Sequence, residues 1–289
     1  MEILKQSSAM AAEGKPFAIA TVVRVEGSSS ARVGSKAIID RAGKLVAGWV
    51  GGGCAEGAVR HEARRCIEKE RPLLITLDMT DEILGVGMPC GGVMDVYIEP
   101  VLPKPQLLVI GHGAIAEALA RLGALLGFSV AVNDPSANKQ SFPDADRLLT
   151  DDFDLGGTAI GPRTFIVLAT QHKGDHLWLE KALATDAAYI AMISSHHRAR
   201  LVLDYLAASG MAQEKLNRVR APAGLDLGAA TPEEIALSIM SEIVAKRRGA
   251  SARPIGREEA PAEDAEGAAA KVISQCDSGD VPPQFPPSR

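Results

Sequence analysis

Residues 107–120 read LLVIGHGAIAEALA, and no other stretch limits the fold of this chain as strongly. A short apolar run meets Gly111, Gly113 and Ala116 at GxGxxA spacing, and a helical pattern follows. Each small residue has a mechanical purpose: Gly111 for the tight turn, Gly113 for the approach of a pyrophosphate, Ala116 for close helix–sheet packing. SVAVND then reads as a second strand and ends in Asp134, where an acid can accept hydrogen bonds from an adenosine ribose. Beyond it, TFIVLAT and YIAMIS are further apolar strands, separated by helical text. Nearly continuous apolar strands alternating with helices indicate a parallel sheet covered on both faces.

The expected fold class is α/β, a C-terminal Rossmann-like parallel sheet with helices on both faces, plus a smaller N-terminal α+β domain. Gly111, His112, Gly113, Ala114, Ile115, Ala116, Asp134 and Thr170 are the candidate cofactor-binding residues of the C-terminal half. Two readings stay open: a nucleotide site, or the same scaffold binding none. Asp134 repels a 2′-phosphate, so NADP ranks last. His112 either donates to a phosphate or is a solvated loop histidine. His172 and His176 follow a strand at helical spacing, but no glutamate completes an HExxH. The SSHHRAR segment, with His196 and His197, reads as a loop on the cofactor side. TPEEIALSIMSEIVAKRRG is a helix with Thr231 as cap, Pro232 in the first turn, Glu234 completing a capping box and Gly249 as stop.

The N-terminal half carries a different glycine cluster, GWVGGGCAEG at 48–57. A helical pattern follows it, so Cys54 stands at or just before a helix start. Free N–H groups and the positive dipole end there favour an anion and lower a thiol's pKa. Gly52 and Gly53 would let a ligand reach the sulfur; the alternative is a small apolar residue sealing the helix start. Cys66 shares the apolar stripe of the same helix and is read as core. Strand text in FAIATVVRV, a hairpin in KAIIDRAGKLVAG turning near Ala42–Gly43, LLITLDM and VMDVYIEPV complete this half. Pro100, Pro103 and Pro105 mark an extended linker, giving domains at 1–102 and 103–249. Residues 250–289 read as a flexible tail, with seven acids against four bases supplying −3 of the net −5.

That net charge, with no basic run, argues against a nucleic-acid partner. Four cysteines in 289 residues without short regular spacings suggest neither a disulfide framework nor structural zinc. The start lacks an apolar signal core and no transmembrane run appears, so a cytoplasmic location is expected.

GWVGGGCAEGAVRHEA and MPCGGVMDVYIEP resemble the signature loops of the XdhC/CoxI family. GHGAIAEALARL, YIAMISSHHRAR and APAGLDLGAATPEEIALSIMSEIVAKRRG resemble its Rossmann half, and the APAGLDLGAATPEEIALSI wording with the SSHH variant looks closest to the CoxF-like branch associated with carbon monoxide dehydrogenase. The match covers about residues 15–249. It departs in the basic loop after the Rossmann strand, where Arg198 and Arg200 only partly keep the charge. The resemblance implies a maturation factor, or chaperone, for molybdenum hydroxylases such as xanthine dehydrogenase and aerobic carbon monoxide dehydrogenase. The implied cofactor is the molybdenum cofactor (molybdopterin or its cytosine dinucleotide) or FAD, with NAD ranked below. The implied partners are the apo molybdenum hydroxylase and cofactor-sulfurating proteins, with a homodimer left open.

Sulfuration or metal insertion at molybdenum needs soft sulfur ligands. Cys54 and Cys90, on GGGC and PCGG loops, are therefore expected to face one another across a cleft between the domains, with Gly91 and Gly92 again permitting close approach. Cys90 can equally be a packing residue at a strand entry. Glu56 either moves protons or is a carboxylate at the helix dipole. The same cysteines would also serve an FAD- or NAD-dependent thiol oxidoreductase.

Overall fold

The computed structural model describes residues 2–79, 92–171, 174–255 and 271–273. They fall into two compact units that divide between Pro103 and Lys104, with residues 271–273 belonging to the first.

The first unit is a six-stranded sheet with helices on it. In chain order its elements are α1 (Glu2–Ala12), β1 (Phe17–Gly27), β2 (Lys36–Asp40), β3 (Leu45–Gly48), α2 (Cys54–Lys69), β4 (Leu73–Asp78) and β5 (Gly92–Val101). The strands lie in the order β4-β5-β1-β2-β3 and pair antiparallel. Alternation along each strand decides which core a residue joins. Ala18, Ala20, Ile39, Val96 and Ile98 meet α2 through its buried Val59, Ala63, Cys66 and Ile67. Phe17 and Ile38 point the other way and pack with Met10 of α1. The hairpin turns at Gly43, whose N–H donates to Asp40 O.

The second unit holds β6 (Gln106–Gly111), α3 (Ala114–Leu125), β7 (Ser129–Asn133), β8 (Arg147–Leu149), β9 (Thr164–Ala169), α4 (Asp175–Leu183), β10 (Tyr189–Met192), α5 (His196–Ala208), α6 (Gln213–Leu216), β11 (Val219–Arg220) and α7 (Pro232–Arg248). All six strands are parallel, in the order β11-β10-β9-β6-β7-β8. The first strand of the unit is therefore central, and the chain winds outward from it in both directions, the doubly wound order of a Rossmann domain. Leu107, Val109, Val130, Val132 and Val167 face α3 and α7, while Leu108, Ile110, Ile166 and Leu168 face α4 and α5. Burial on both faces is why these strands read as unbroken apolar runs. The capping box of α7 forms as its sequence indicates, with Thr231 and Glu234 exchanging hydrogen bonds and Gly249 closing the helix in the left-handed region.

Three expectations change. Pro100, read as linker, lies within β5 opposite Ala18 of β1. SSHHRAR is not a loop throughout: Ser195 caps α5 by accepting from the Arg198 N–H at 3.2 Å, so both histidines open a helix. Within the segment read as a tail, Lys271–Ile273 form β12, parallel to β4 at the edge of the first sheet. An unpaired strand edge readily accepts such an addition.

Candidate functional site

β6 delivers Gly111 to the point where the strand order reverses, between β7 and β9. The backbone of Gly111 has φ 119°, and a Cβ there would lie 2.2 Å from the Ala169 carbonyl oxygen. No side chain can be accommodated, so the turn presses directly on the end of β9. Gly113 then stands at the N-cap of α3 with no side-chain cap hydrogen bond among the described residues. The first N–H groups of a helix have no partner within it, so the start of α3, from Ala114 through Ile115 to Ala116, presents an anion-binding end. Ala114 is exposed there, whereas Ala116 is fully buried against the sheet, as close helix packing requires.

Asp134 follows β7 and reaches back to this turn. Its Oδ2 lies 2.9 Å from His112 Nδ1, and its Oδ1 accepts from the Ser136 N–H at 2.8 Å and the Ser136 hydroxyl at 2.5 Å. Burial pushes the Asp134 carboxyl up, but the Ser136 hydroxyl, the His112 ring and the Ser136 N–H together more than offset it and hold the group below its ordinary range. The acid is therefore ionised at neutral pH.

Thr170 sits just past β9, and its hydroxyl donates to Asp175 Oδ1. Asp175, the first residue of α4, is 1% exposed, and its Oδ2 accepts from Arg198 Nε and Nη2, each at 3.0 Å. Thr170, whose backbone N would lie 2.9 Å from a Gly111 Cβ, is thereby tied to the start of α4. Sequence reasoning passed over Asp175 and over Gln171. The latter has φ 51° and places its amide nitrogen 3.5 Å from His112 O and 2.7 Å from where a Gly113 Cβ would stand. An acid directly after Gly174 at a helix start was the only available signal for Asp175. His176 packs edge-on against Tyr205; His172 lies outside the described residues. A separate groove of about 650 Å³ runs between α5, α6 and β11, and none of its lining residues belongs to the glycine turn.

In the first unit Cys54 is the first residue of α2, behind Gly53 at the N-cap, and no side chain among the described residues caps this helix. Ideal Cβ positions on Gly52 and Gly53 have no described atom within 4 Å, so the loop is open on that side. Gly51 instead faces inward, toward Ala55, Met94 and the Ser30 hydroxyl. Gly92 has its space taken by the chain: a Cβ would lie 2.4 Å from Ser28 O and 2.7 Å from Glu26 O. The start of α2, the Ser28–Ser30 turn and the entry to β5 therefore converge, and the three serines are contributors that the sequence reading did not single out. Glu56 lies 3.6 Å from Arg60 one helical turn on, an i,i+4 pair of a half-buried acid with an exposed base. Cys54 is described through its backbone only, and Cys90 and Gly91 lie outside the described residues. Cys66 is fully buried and donates to Ile98 O at 3.5 Å; burial, then the Glu99 charge, pushes its thiol up to about 12.

Together these features define a two-unit α/β protein whose C-terminal part is a Rossmann domain, with a glycine turn at the switch point and, among the described residues, no side-chain cap at the start of α2 in its N-terminal part. The chain belongs to the XdhC and CoxI family: the model of that family matches residues 10–78, and the model of the XdhC Rossmann domain matches residues 107–243. The uncharacterised protein YqeB of Escherichia coli K12 is 33% identical over 86% of this chain and 47% of its own length. A protein of Bacillus subtilis 168, named as a probable component of xanthine dehydrogenase, is 33% identical over 53% of this chain and 46% of its own. The chain thus spans about half the length of these curated relatives. A solved structure titled as a xanthine dehydrogenase from Bacillus halodurans is 21% identical, covering 89% of this chain and 98% of that one with a TM-score of 0.46. Among the described residues no helix is long and apolar enough to cross a membrane.

Proposed function

We propose that this protein is a maturation factor for a molybdenum hydroxylase of the xanthine dehydrogenase type, binding a dinucleotide at the β6–α3 turn. The observation that carries the reading is the Gly111–Gly113 turn at the strand-order reversal, with ionised Asp134 beside it. A pyrophosphate fits this place chemically: no side chain among the described residues caps the α3 N–H groups, and the atom facing Gly113 is the amide nitrogen at the end of the flexible Gln171 side chain, itself a donor. Both FAD and the cytosine dinucleotide of molybdopterin carry that group, and a bound flavin would add electron transfer. The client class is supported by family membership and by the name of the Bacillus subtilis relative.

In the N-terminal half, the proposed role of Cys54 is to present a thiolate at the uncapped start of α2, where the dipole favours the charged sulfur. Gly52 and Gly53 keep the approach to it open. Cys90, two residues before Gly92, is its proposed companion in sulfuration or metal insertion, because the β5 entry meets the α2 start. Glu56 is held by Arg60 and acts through the helix dipole.

The test is the protein purified from a host that makes molybdenum cofactor. Pterin fluorescence after oxidation is the expected result. A flavin absorption band without pterin would move the reading to a flavin-dependent thiol oxidoreductase, and the absence of both would overturn the cofactor-binding role.

A further inference from the structure

The acid placed to read a ribose is already hydrogen-bonded within the protein. An ionised carboxylate only accepts, and it offers about four lone-pair sites, two on each oxygen. Ser136 fills both sites on Asp134 Oδ1, through its N–H and its hydroxyl. His112 Nδ1, carrying the proton of the contact, takes one of the two on Oδ2. Among the described residues, one acceptor site is left.

The two occupants differ in kind. Ser136 lies two residues on, and its bonds form a local turn of the type aspartate commonly makes. His112 comes from the glycine turn itself, 22 residues away along the chain. A ribose 2′,3′-diol gripped through both hydroxyls needs two acceptors. We propose that His112 is a specificity-determining residue of the cradle: its ring holds one of the two places on Asp134 that a diol uses, so the site grips a single ribose hydroxyl. The ligand class is a nucleoside diphosphate moiety read at one hydroxyl, with little discrimination at the other. This rests on the nucleotide reading above and goes beyond it.

The turn itself does not depend on the ring. Its positive-φ positions are Gly111 and Gly113, and the His112 side chain is 37% exposed. Replacement of His112 therefore leaves the cradle in place and returns an acceptor site to Asp134.

The experiment is calorimetric titration of the full chain with ADP and with CDP, each beside its 2′-deoxy and 3′-deoxy counterparts. In the unaltered protein, loss of one hydroxyl weakens binding and loss of the other changes it by less than about twofold. In His112→Ala and His112→Phe the parent nucleotide binds about tenfold tighter, the scale of one hydrogen bond to a charged group, and both deoxy forms lose that gain. His112→Phe keeps the bulk of a ring without its N–H, so it separates the hydrogen bond from the space. Equal losses for both hydroxyls in the unaltered protein, or variants that repeat its pattern while still binding, overturn the role of His112 and leave the nucleotide reading standing. Failure of every form to bind ADP or CDP overturns the nucleotide reading, and this inference with it.

Discussion

Cys54 and Cys66 stand on one helix, Cys54 as its first residue and Cys66 in the stripe buried against the sheet. The Cys66 thiol is sealed between α2 and β5, where burial opposes the charged form. Its pKa is raised above the unfolded value, so the stabilisation is complete at neutral pH. It declines as pH rises from about 9, where the unfolded thiol ionises, toward about 12, where the folded one does. Native protein exposed to iodoacetamide at pH 8 is expected to leave Cys66 unmodified by peptide mass mapping, with modification only after unfolding. Rapid native labelling at Cys66 would contradict the packing described. At the start of α2 no side chain among the described residues caps the helix, and the proposed role of Cys54 rests there. Cys54→Ser is expected to fold normally, with an unchanged circular dichroism spectrum, and to abolish maturation of the client. Full client activity with Cys54→Ser would remove that sulfur from the mechanism.

Among the elements, what the sequence made legible was whatever depends on periodicity and punctuation. β6, β9 and β10 declared themselves as apolar runs because both faces of the sheet are covered, and α7 was bounded at both ends by its own caps. β8 and β11 escaped because three and two residues carry no period. The α5 start was missed because its cap, Ser195, is followed by two histidines rather than an apolar stripe. In the cradle, Gly111, Gly113 and Asp134 were readable from spacing, whereas Asp175 and Gln171 act through contacts between elements that no local pattern encodes. The two glycine clusters also differ physically. Gly111→Ala forces a Cβ into the Ala169 carbonyl at a φ that L-residues avoid. It is expected to cost about 2–4 kcal/mol, seen as a lower urea midpoint. Gly52→Ala meets open space and is expected to stay within about 0.5 kcal/mol of the parent. A comparable loss at both positions would refute this distinction. For α7, Thr231→Ala removes the hydroxyl that accepts from the Glu234 N–H and is expected to cost about 1 kcal/mol.

At the scale of the whole molecule, the hydrophobic clusters formed by the described residues include two that belong to the Rossmann unit. Leu107, Leu119, Val130 and Ile239 fill one face of its sheet, and Leu108, Ile166, Leu183 and Val202 fill the other, with contributions from α3, α7, α4 and α5. A chain of roughly 150 residues buries about two-thirds of its unfolded surface and needs no further core to be stable. The segment before β6, with Pro103 and Pro105, lies between the bounds of β5 and β6, and Pro105 O accepts from the Ser129 N–H at the start of β7. Residues 104–255 expressed alone are therefore expected to unfold in one cooperative urea transition, with fluorescence and circular dichroism coinciding. Because Gly111, His112, Asp134 and Ser136 all lie inside this unit, the fragment is also expected to bind ADP or CDP within about threefold of the full chain, a difference below 1 kcal/mol. A fragment that folds but loses binding would place part of the ribose or phosphate contact outside it. A fragment that fails to fold would show that its two clusters do not suffice.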